Sequence, residues 1–381
     1  MRVEGAINIA DLRALAKRRL PKGVFDYVDG GADDELTLRR NVERFSAYEL
    51  IPDCLVDVSK VDTKTTVMGA PIDTPIIFAP TAASRMFHVD GESAVAATAQ
   101  KRGTVYCLST LASTTMEDVA KATGGPKWLQ VYVWKDRGLV REILARAKAA
   151  GFTALVLTVD MPVAGNRERD PRNRFTIPPS YNVRTIADVM AHPSWMLDVL
   201  TSKPVKPALI ESVTQNVGPI GKLTEFFAQQ FDQSLNWKDA EWFVKDWSGP
   251  VAIKGVMNPA DAVRSIECGA RGIFISNHGG RQLGAAPATI DMLPAIAEAV
   301  DKRIDIVLDG GIRRGTDVVT ALALGAKAVA LGRAYLWGLS AGGQTGVERA
   351  FDIVQSEFVR SLILAGCPDI RNLSPRFVRQ T

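Results

Sequence analysis

One histidine in the sequence lies among residues that suit proton transfer. His278 follows a short apolar segment and is followed by two glycines and Arg281. An imidazole titrates near neutral pH and can take or give a proton, and Asp160, at the end of another apolar segment, could stabilise its protonated form. Arg281 could bind a carboxylate through two parallel hydrogen bonds. These residues predict acid–base chemistry on an anionic substrate; a hydrogen-bonded structural histidine is the alternative.

A lysine, Lys254, lies at the end of a segment that is otherwise apolar. A buried ammonium group needs an anionic partner or must lose its proton. Two roles therefore remain open from the residues alone. Lys254 could form a Schiff base with a substrate, or it could neutralise negative charge that develops on a cofactor ring.

Two glycine-containing segments late in the chain suggest a phosphate site. The first is DGGIRRG (309–315), which contains Arg313 and Arg314, and the second ends in Gly332 and Arg333. Glycine lets the backbone approach an anion closely, and its N–H group can point at that anion. Either segment alone is more often an ordinary turn, but the two together, each with arginine, predict phosphate binding.

The chain between residues 75 and 333 alternates short apolar segments with amphipathic ones. The amphipathic segments, such as 138–150 and 259–268, predict helices, and apolar segments without polar alternation are typical of parallel strands buried on both faces. Eight such units predict a (β/α)8 barrel, preceded by an N-terminal helical segment at 8–20 and 21–30. A doubly wound sheet is the alternative, but no GxGxxG follows the first strand. The predicted strands are 75–79, 105–109, 128–133, 154–160, 251–255, 272–277, 305–310 and 328–333.

The active site of such a barrel lies at the carboxyl ends of its strands. His278, Asp160, Lys254 and both glycine-containing segments lie at ends of predicted strands. We therefore expect these groups to converge at one end of the barrel.

One connection is too long for a single helix and its loops. The fourth predicted strand ends at residue 160 and the fifth begins at 251, and such long connections are usually functional or disordered. We predict a loop insertion at 176–236 after strand 4. Its segment 180–215 could lie on a membrane surface; a lid or a subunit contact is the alternative. The side chains that suggest a membrane surface are Trp195, Met196, Leu197, Lys203 and Lys206.

The composition is that of a globular protein without an obvious nucleic-acid partner. The chain has 381 residues, with 46 Lys+Arg against 42 Asp+Glu and a net charge of +4, too weak a charge to predict nucleic-acid binding. Its four cysteines form no CxxC pair, which argues against a disulfide scaffold or a zinc site and fits a reducing compartment. We expect no metal, no secretory signal and no transmembrane helix.

Several segments resemble the FMN-dependent L-2-hydroxy acid oxidase and dehydrogenase family. They are SNHGGRQL (276–283), GFTALVLTVD (151–160), LDGGIRRGTDVVTALALGA (308–326) and GRAYLWGL (332–339), with DYVDGGADDELTLRRN (26–41) and NRF (173–175) as shorter matches. The resemblance covers nearly the whole chain. It implies a single domain over 1–381, a barrel that binds FMN at the carboxyl ends of its strands, and oxidation of a 2-hydroxy acid to a 2-keto acid.

The resemblance also implies roles for individual residues. It places Lys254 by the N1–C2 carbonyl of the flavin, where a cation would stabilise the anionic reduced ring. His278 matches the base and Asp160 its partner, and Tyr132 matches the tyrosine that contacts the substrate hydroxyl. The substrate carboxylate would be bound by Tyr27, Arg167 and Arg281, and Leu111 would line the pocket wall. The other positions implied to hold FMN are Ala79, Pro80, Thr81, Ala82, Ser109, Gln130, Thr158, Ser276, Asp309, Gly311, Arg313, Gly332 and Arg333.

Three features bear on the acceptor and on departures from the family. Gly284 stands where the family usually has aspartate, and we expect an altered loop there rather than lost chemistry. The insertion resembles that of membrane-associated dehydrogenases that pass electrons to quinones, whereas Ala82, a glycine in several dehydrogenases, favours an oxidase that uses oxygen. The resemblance further implies a homotetramer in the cytoplasm, which the insertion could attach to the inner face of the cell membrane.

Overall fold

Eight parallel strands form a closed barrel, as the apolar segments predict. The computed structural model describes residues 2–132, 134–175, 183–202, 204–209 and 231–381. Strands are numbered in chain order, and each barrel strand pairs with the next, with the last returning to the first. The barrel strands are β4 Ile76–Phe78, β5 Tyr106–Ser109, β6 Lys127–Tyr132, β7 Ala154–Thr158, β8 Val251–Val256, β9 Gly272–Ile275, β10 Asp305–Asp309 and β11 Ala328–Leu331.

The barrel strands are buried on both faces, which is why their sequences show no polar alternation. One core fills the barrel interior with side chains such as Ile77, Cys107, Trp128 and Phe274, and a second, larger core lies between the strands and the surrounding helices. Packing of both faces fixes the strand register, so the residues that end each strand hold fixed positions.

Among the described residues, two short antiparallel pairs of strands lie outside the barrel, and one of them packs at its amino end. The hairpin of β2 (Thr65–Val67) and β3 (Ala70–Ile72) joins the barrel through Met68, whose N–H donates to the Asp305 carboxylate at 2.6 Å. Strand β1 (Tyr48–Leu50) pairs with the C-terminal β12 (Val378–Gln380). The carboxyl ends of the barrel strands lie at the opposite end of the barrel from the β2–β3 hairpin.

Helices surround the barrel in the described ranges. The two N-terminal helices match the predicted segments, and the first begins after Asn8, whose side chain accepts the Asp11 N–H. The helices are α1 Ile9–Arg19, α2 Lys22–Asp29, α3 Leu36–Glu43, α4 Gly91–Lys101, α5 Met116–Ala122, α6 Arg137–Ala149, α7 Arg169–Arg172, α8 Val183–Met190, α9 Pro193–Thr201, α10 Trp237–Trp247, α11 Pro259–Glu267, α12 Thr289–Val300, α13 Gly315–Ala323 and α14 Arg333–Leu364, the last interrupted at 342–343.

The insertion packs onto the carboxyl end of the barrel through α9. Trp195 is buried, and its indole N–H donates to the Met86 carbonyl at 2.8 Å, while Asp198 forms an ion pair with Arg19. The expectation that Trp195 faces a membrane is therefore wrong, because its ring anchors α9 to the barrel. In the described part of the insertion, the large apolar side chains that face outward are Ile186, Met190, Leu197 and Leu200, called here the insertion surface.

Part of the predicted insertion lies outside the described residues. Positions 176–182, 203 and 210–230 belong to this part, so Lys203 and most of 210–236 receive no structural account. The segment 204–209 crosses the loop after β5, where the Ala208 N–H donates to the Ala112 carbonyl at 2.9 Å. Among the helices of the described ranges, none combines the length and the apolar character needed to cross a bilayer.

Candidate active site

His278 and Asp160 are in direct contact at the carboxyl end of the barrel. The His278 Nδ1 lies 2.9 Å from Asp160 Oδ1. Burial acts to raise the pKa of Asp160, but the adjacent His278 and, more weakly, Lys254 hold it below its usual value. Asp160 is thus a carboxylate throughout the neutral range and fixes which imidazole nitrogen faces away from it. The other nitrogen, Nε2, is left for a reacting group.

The backbone at His278 is left-handed, with φ of +57°. Its N–H donates to the Ser276 hydroxyl at 3.1 Å, and the following Gly279 and Gly280 also have positive φ. A non-glycine residue in this conformation is uncommon, and such backbone often marks a functional site. The turn directs the imidazole toward Asp160.

Lys254 is buried and charged. Its ammonium group donates to the Ser276 hydroxyl at 2.7 Å and lies 3.1 Å from Asp309 Oδ2. Burial acts to lower the pKa of Lys254, but the charges of Asp309 and Asp160 raise it above its usual value. A Schiff base needs a neutral amine, so the structure disfavours that role and favours the electrostatic one.

Two half-buried arginines bind the carbonyl groups at the end of α2. Arg281 donates to the Tyr27 carbonyl at 2.7 Å, and Arg333 donates to the carbonyls of Val28 at 2.9 Å and Gly30 at 2.7 Å. The last carbonyls of a helix lack partners within it and carry partial negative charge. The arginines therefore fix α2, and with it Tyr27, against the barrel.

Tyr27 lies between two guanidinium groups. Its ring centre is 5.0 Å from the Arg281 guanidinium carbon and 5.2 Å from that of Arg167. Burial and the neighbouring charge of Arg167 lower the pKa of Arg281. Two cations held close together at the mouth of a cavity favour an anionic ligand between them.

Polar side chains from three neighbouring strands form a chain across the cavity floor. The Ser109 hydroxyl donates to Gln130 Oε1 at 3.0 Å, and Gln130 Nε2 donates to the Thr158 hydroxyl at 2.9 Å. Beside them, the hydroxyl groups of Thr81 and Tyr335 are 2.6 Å apart, and Tyr335 donates to the Ala79 carbonyl at 2.9 Å. The sequence interpretation missed Tyr335, which no strand-end pattern marks.

The predicted phosphate end holds the half-buried guanidinium groups of Arg313 and Arg333. Burial lowers the pKa of Arg313 to about 10 and that of Arg333 to about 9. Neither forms an ion pair with a carboxylate in the described part of the chain, and Arg313 lies over the Trp337 ring at 4.7 Å. A side chain at Gly332 would meet only the Ala79 methyl group, at 4.0 Å, so open space remains there. Guanidinium groups that lie beside such open space fit a phosphate group.

The structure changes the interpretation of Arg314 and adds a packing role for Gly311. Arg314 pairs with Glu357 at 2.7 Å on the outer surface, so its predicted contribution to the phosphate site is wrong. Gly311, with φ of +93°, lines the cavity, but a side chain there would lie 1.8 Å from the Asn41 carbonyl oxygen. Glycine is thus required at 311 for packing against α3 as well.

Nearly all the predicted site residues line one cavity. Asp160 and Ser276 do not; they lie behind His278 and Lys254 and hold them in place. The predicted residues on the cavity wall are Tyr27, Ala79, Pro80, Thr81, Ala82, Ser109, Leu111, Gln130, Tyr132, Thr158, Arg167, Lys254, His278, Arg281, Asp309, Gly311, Arg313, Gly332 and Arg333. In the described ranges, no cluster of three histidine, cysteine or acidic side chains suits a metal ion.

Two residues near the site have roles that the sequence did not indicate. Arg169 pairs with Asp29 at 3.2 Å and Glu35 at 2.5 Å and so connects the loop after β7 to α2. Gly284 packs so closely on Asp33 that an added Cβ would lie 2.2 Å from its carboxylate. An aspartate at 284 would therefore bring two carboxylates into contact.

The donor set fits FMN. The arginines on the cavity wall at one end suit a phosphate, and a charged lysine and hydrogen-bonding side chains in the middle suit a flat polar ring. The cationic groups and the His278–Asp160 pair at the other end suit an anionic substrate.

Comparison with known proteins agrees with this geometry. Residues 16–380 match the model of a family described as FMN-dependent dehydrogenase. The chain is 42% identical over 380 residues to a Mycobacterium tuberculosis protein named as an L-lactate dehydrogenase, covering 100% of this chain and 90% of that protein. It is 41% identical to the L-lactate oxidase of Nostoc sp., covering 99% of each.

A solved structure shares the whole fold. The monotopic membrane protein (S)-mandelate dehydrogenase superposes with a TM-score of 0.94 at 37% identity, covering 99% of this chain and 100% of that one. The predicted barrel and cofactor are therefore confirmed at the level of the family. The chain belongs to the FMN-dependent dehydrogenase family.

Proposed function

We propose that this chain oxidises an L-2-hydroxy acid, of the lactate or mandelate type, to the 2-keto acid, and that residues 1–381 form one catalytic domain. The observation that carries this proposal is that His278, held by Asp160, lies on the wall of the same cavity as Arg281 and Lys254. A 2-hydroxy acid presents a carboxylate, a hydroxyl group and an α-hydrogen on neighbouring atoms. This cavity offers a cation, Arg281, for the carboxylate, and a base, His278, for the proton of either the hydroxyl group or the α-carbon.

Substrate orientation is assigned to the cationic end of the cavity. Arg281 uses one nitrogen to hold α2, and its other donors can meet a carboxylate together with Arg167 and the Tyr27 hydroxyl. Tyr132 lies on the same wall, where it can contact the substrate hydroxyl, and Leu111 faces the variable side chain. Fixing the carboxylate fixes the α-carbon relative to His278, which lowers the entropic part of the barrier.

Proton transfer is assigned to His278. It accepts a proton at Nε2, and the Asp160 carboxylate stabilises the resulting imidazolium. The geometry is compatible with removal of the α-proton or of the hydroxyl proton. Oxidation of the alcohol to the ketone releases two electrons and two protons. His278 takes one proton, and the other passes with the electron pair to the two-electron acceptor.

The cofactor is assigned to the remainder of the cavity. Arg313, Arg333 and Gly332 would hold the phosphate, while Lys254 and the chain from Ser109 to Thr158 would hold the ring. Bound FMN supplies a two-electron acceptor. The Lys254 ammonium group would stabilise negative charge on that acceptor, and its high pKa keeps it protonated while doing so.

Oxygen and a membrane quinone are the two candidate final acceptors. The insertion surface supports a peripheral membrane position, because its four large apolar side chains lie exposed on two consecutive helices. The structural relative titled a monotopic membrane protein is consistent with such a position. We also propose a cytoplasmic location and a homotetramer, which rest on the family resemblance alone.

The function is tested by the visible spectrum of the purified protein without oxygen. L-lactate or (S)-mandelate should bleach a flavin spectrum, and the rate of recolouring in air separates an oxidase from a dehydrogenase. A protein that binds no FMN, or whose flavin no 2-hydroxy acid bleaches, contradicts the proposal. In the His278→Ala variant the flavin should remain bound and stay oxidised.

A further inference from the structure

Glu92 is a fully buried carboxylate that none of the proposed catalytic steps uses. It lies in the first turn of α4 and is 0% exposed. In the described part of the chain no cation pairs with it. Four neutral donors hold it instead. The N–H groups of Ser84 and Ser113 donate to Oε1 at 2.9 and 2.8 Å, and the Thr114 hydroxyl donates to Oε2 at 2.7 Å. The Ser113 hydroxyl lies 2.9 Å from both oxygens and shares its one proton between them.

These bonds join two loops that both line the active-site cavity. Ser84 belongs to the loop after β4, which contributes residues 79–82 to the wall, and Ser113 belongs to the loop after β5, which contributes Leu111. The loops also contact each other directly, since the Ala83 N–H donates to the Leu111 carbonyl at 3.0 Å. Glu92 thus lies beneath the junction of a cofactor wall and a substrate wall.

The loop after β4 adopts a backbone conformation that needs support. Ala83 has φ of +50°, a left-handed conformation that costs a residue with a side chain about 1 kcal/mol or more. The next N–H, that of Ser84, is the one that donates to Glu92. A buried side chain that accepts this N–H and three donors from the second loop favours the strained turn over relaxed alternatives.

The same loop is held at its other end by Tyr335, through Thr81 and the Ala79 carbonyl. It also supports the insertion, because Trp195 donates to its Met86 carbonyl. Residues 79–82 therefore lie between two buried attachments, one from α14 and one from α4. Loss of either would leave the cavity wall free to relax.

We propose that Glu92 is a positioning residue, which fixes the loops after β4 and β5 so that their walls match the flavin ring and the substrate side chain. The inference rests on the proposed assignment of residues 79–82 to the flavin and of Leu111 to the substrate. It adds a residue that touches neither ligand but determines the affinity for both.

The test compares Glu92→Ala with Glu92→Gln in the full-length protein. Alanine leaves buried N–H groups without acceptors, so we expect the FMN dissociation constant and the substrate KM each to rise about tenfold, with a shifted flavin absorption band. Glutamine keeps one carbonyl oxygen in the same place, and its values should stay within about threefold of the wild type. Such rescue by the isosteric amide is not expected if α4 were merely destabilised.

Thr98→Val is the matched control. Thr98 is a buried polar residue on the same helix, and its hydroxyl donates within the helix to the Ala94 carbonyl at 2.8 Å, away from both loops. We expect this variant to lower the melting temperature while leaving the FMN dissociation constant and KM unchanged.

Each outcome decides the proposal. A wild-type FMN dissociation constant and KM in Glu92→Ala overturn the positioning role and leave the proposed function intact, whereas a wild-type protein that binds no FMN overturns both. If Glu92→Ala does not fold, the double variant Ser113→Ala, Thr114→Val removes the hydroxyl donors instead. Unchanged FMN affinity and KM in that double variant also overturn the proposal.

Discussion

Lys254 and Asp309 form a buried ion pair within the barrel, with 3.1 Å between Nζ and Oδ2. They lie on β8 and β10, and the Ser276 hydroxyl, just after the intervening β9, accepts a second hydrogen bond from the lysine at 2.7 Å. An intact buried pair adds little to stability, but loss of one partner leaves an uncompensated charge. The ion pair therefore keeps a cation at this position in the barrel, while the intact pair contributes little to the stability of the fold.

Replacement of Lys254 should separate stability from activity. Lys254→Met leaves the Asp309 carboxylate buried without its partner, so we expect the free energy of unfolding to fall by about 3–5 kcal/mol and turnover to be lost. The double variant Lys254→Met, Asp309→Leu should recover most of the stability and none of the turnover. Chemical denaturation and a turnover assay measure the two quantities; turnover in the double variant would contradict the electrostatic role.

The contact between His278 and Asp160 should control the rate of substrate oxidation. Asp160→Asn keeps the size of the side chain but removes the charge that stabilises the imidazolium, so we expect kcat to fall by about 100-fold or more. FMN content should not change, since Asp160 lies behind His278 and off the cavity wall. Anaerobic stopped-flow measurement of flavin bleaching provides the rate. A wild-type rate in Asp160→Asn would show that the carboxylate has no part in proton transfer.

The neighbouring arginines 313 and 314 provide a matched pair for the phosphate site. Arg313 lies on the cavity wall, whereas Arg314 pairs with Glu357 outside it. We expect Arg313→Met to weaken FMN binding by about 10- to 100-fold, the range for one lost charged hydrogen bond. Arg314→Met should leave binding unchanged. Titration of the FMN-free protein with FMN measures both, and equal losses would contradict the assignment.

The structure also shows what the sequence could not predict. The apolar strands and the polar groups at their ends were predictable, because burial on both faces of a parallel strand leaves a direct trace in residue type. No comparable pattern of residue types marks Glu92 or Tyr335, because each acts through partners elsewhere in the chain. Arg313 and Arg314 are both arginines, so residue type could not show which of them faces the cavity. The start of α13 places Arg313 on the cavity wall and Arg314 on the outer surface. Trp195 faces the barrel because α9 packs there, which its amphipathic pattern did not reveal.

Asp317 should make stability near the phosphate site depend on pH. Its carboxylate accepts the N–H groups of Arg313 and Arg314 at 2.8 and 2.9 Å, and burial raises its pKa to about 6 from an ordinary value of 3.8. Between those two values the folded protein binds more protons at Asp317 than the unfolded chain does. The contribution of this group to stability is therefore greatest at low pH and falls as pH rises through 6.

Asp317→Asn should remove that dependence, since the amide oxygen still accepts an N–H but does not ionise. We expect the variant and the wild type to be about equally stable near pH 4, and the variant to be more stable at pH 7 by on the order of 1–3 kcal/mol. Urea denaturation across this pH range measures the difference. A difference that does not change with pH would show that Asp317 is ionised in the folded protein throughout.

The insertion surface should mediate membrane binding if the proposed peripheral position is correct. Leu200 is 72% exposed on α9, and Leu364, at the end of α14, is 71% exposed and outside the insertion. Leu200→Ser combined with Leu197→Ser removes apolar area from the surface, so we expect membrane binding to weaken by about tenfold or more. Leu364→Ser, with matched exposure, should not weaken it.

Cosedimentation with lipid vesicles measures this binding, and turnover with a soluble acceptor dye serves as the control for an intact active site. The serine variants should keep wild-type dye turnover, because Trp195 rather than the outward leucines attaches α9 to the barrel. Equal vesicle binding by the wild type, the insertion variant and Leu364→Ser would contradict the membrane role. The exposed leucines would then suit a contact with another subunit, which sedimentation velocity of the same variants would reveal as a change in oligomer size.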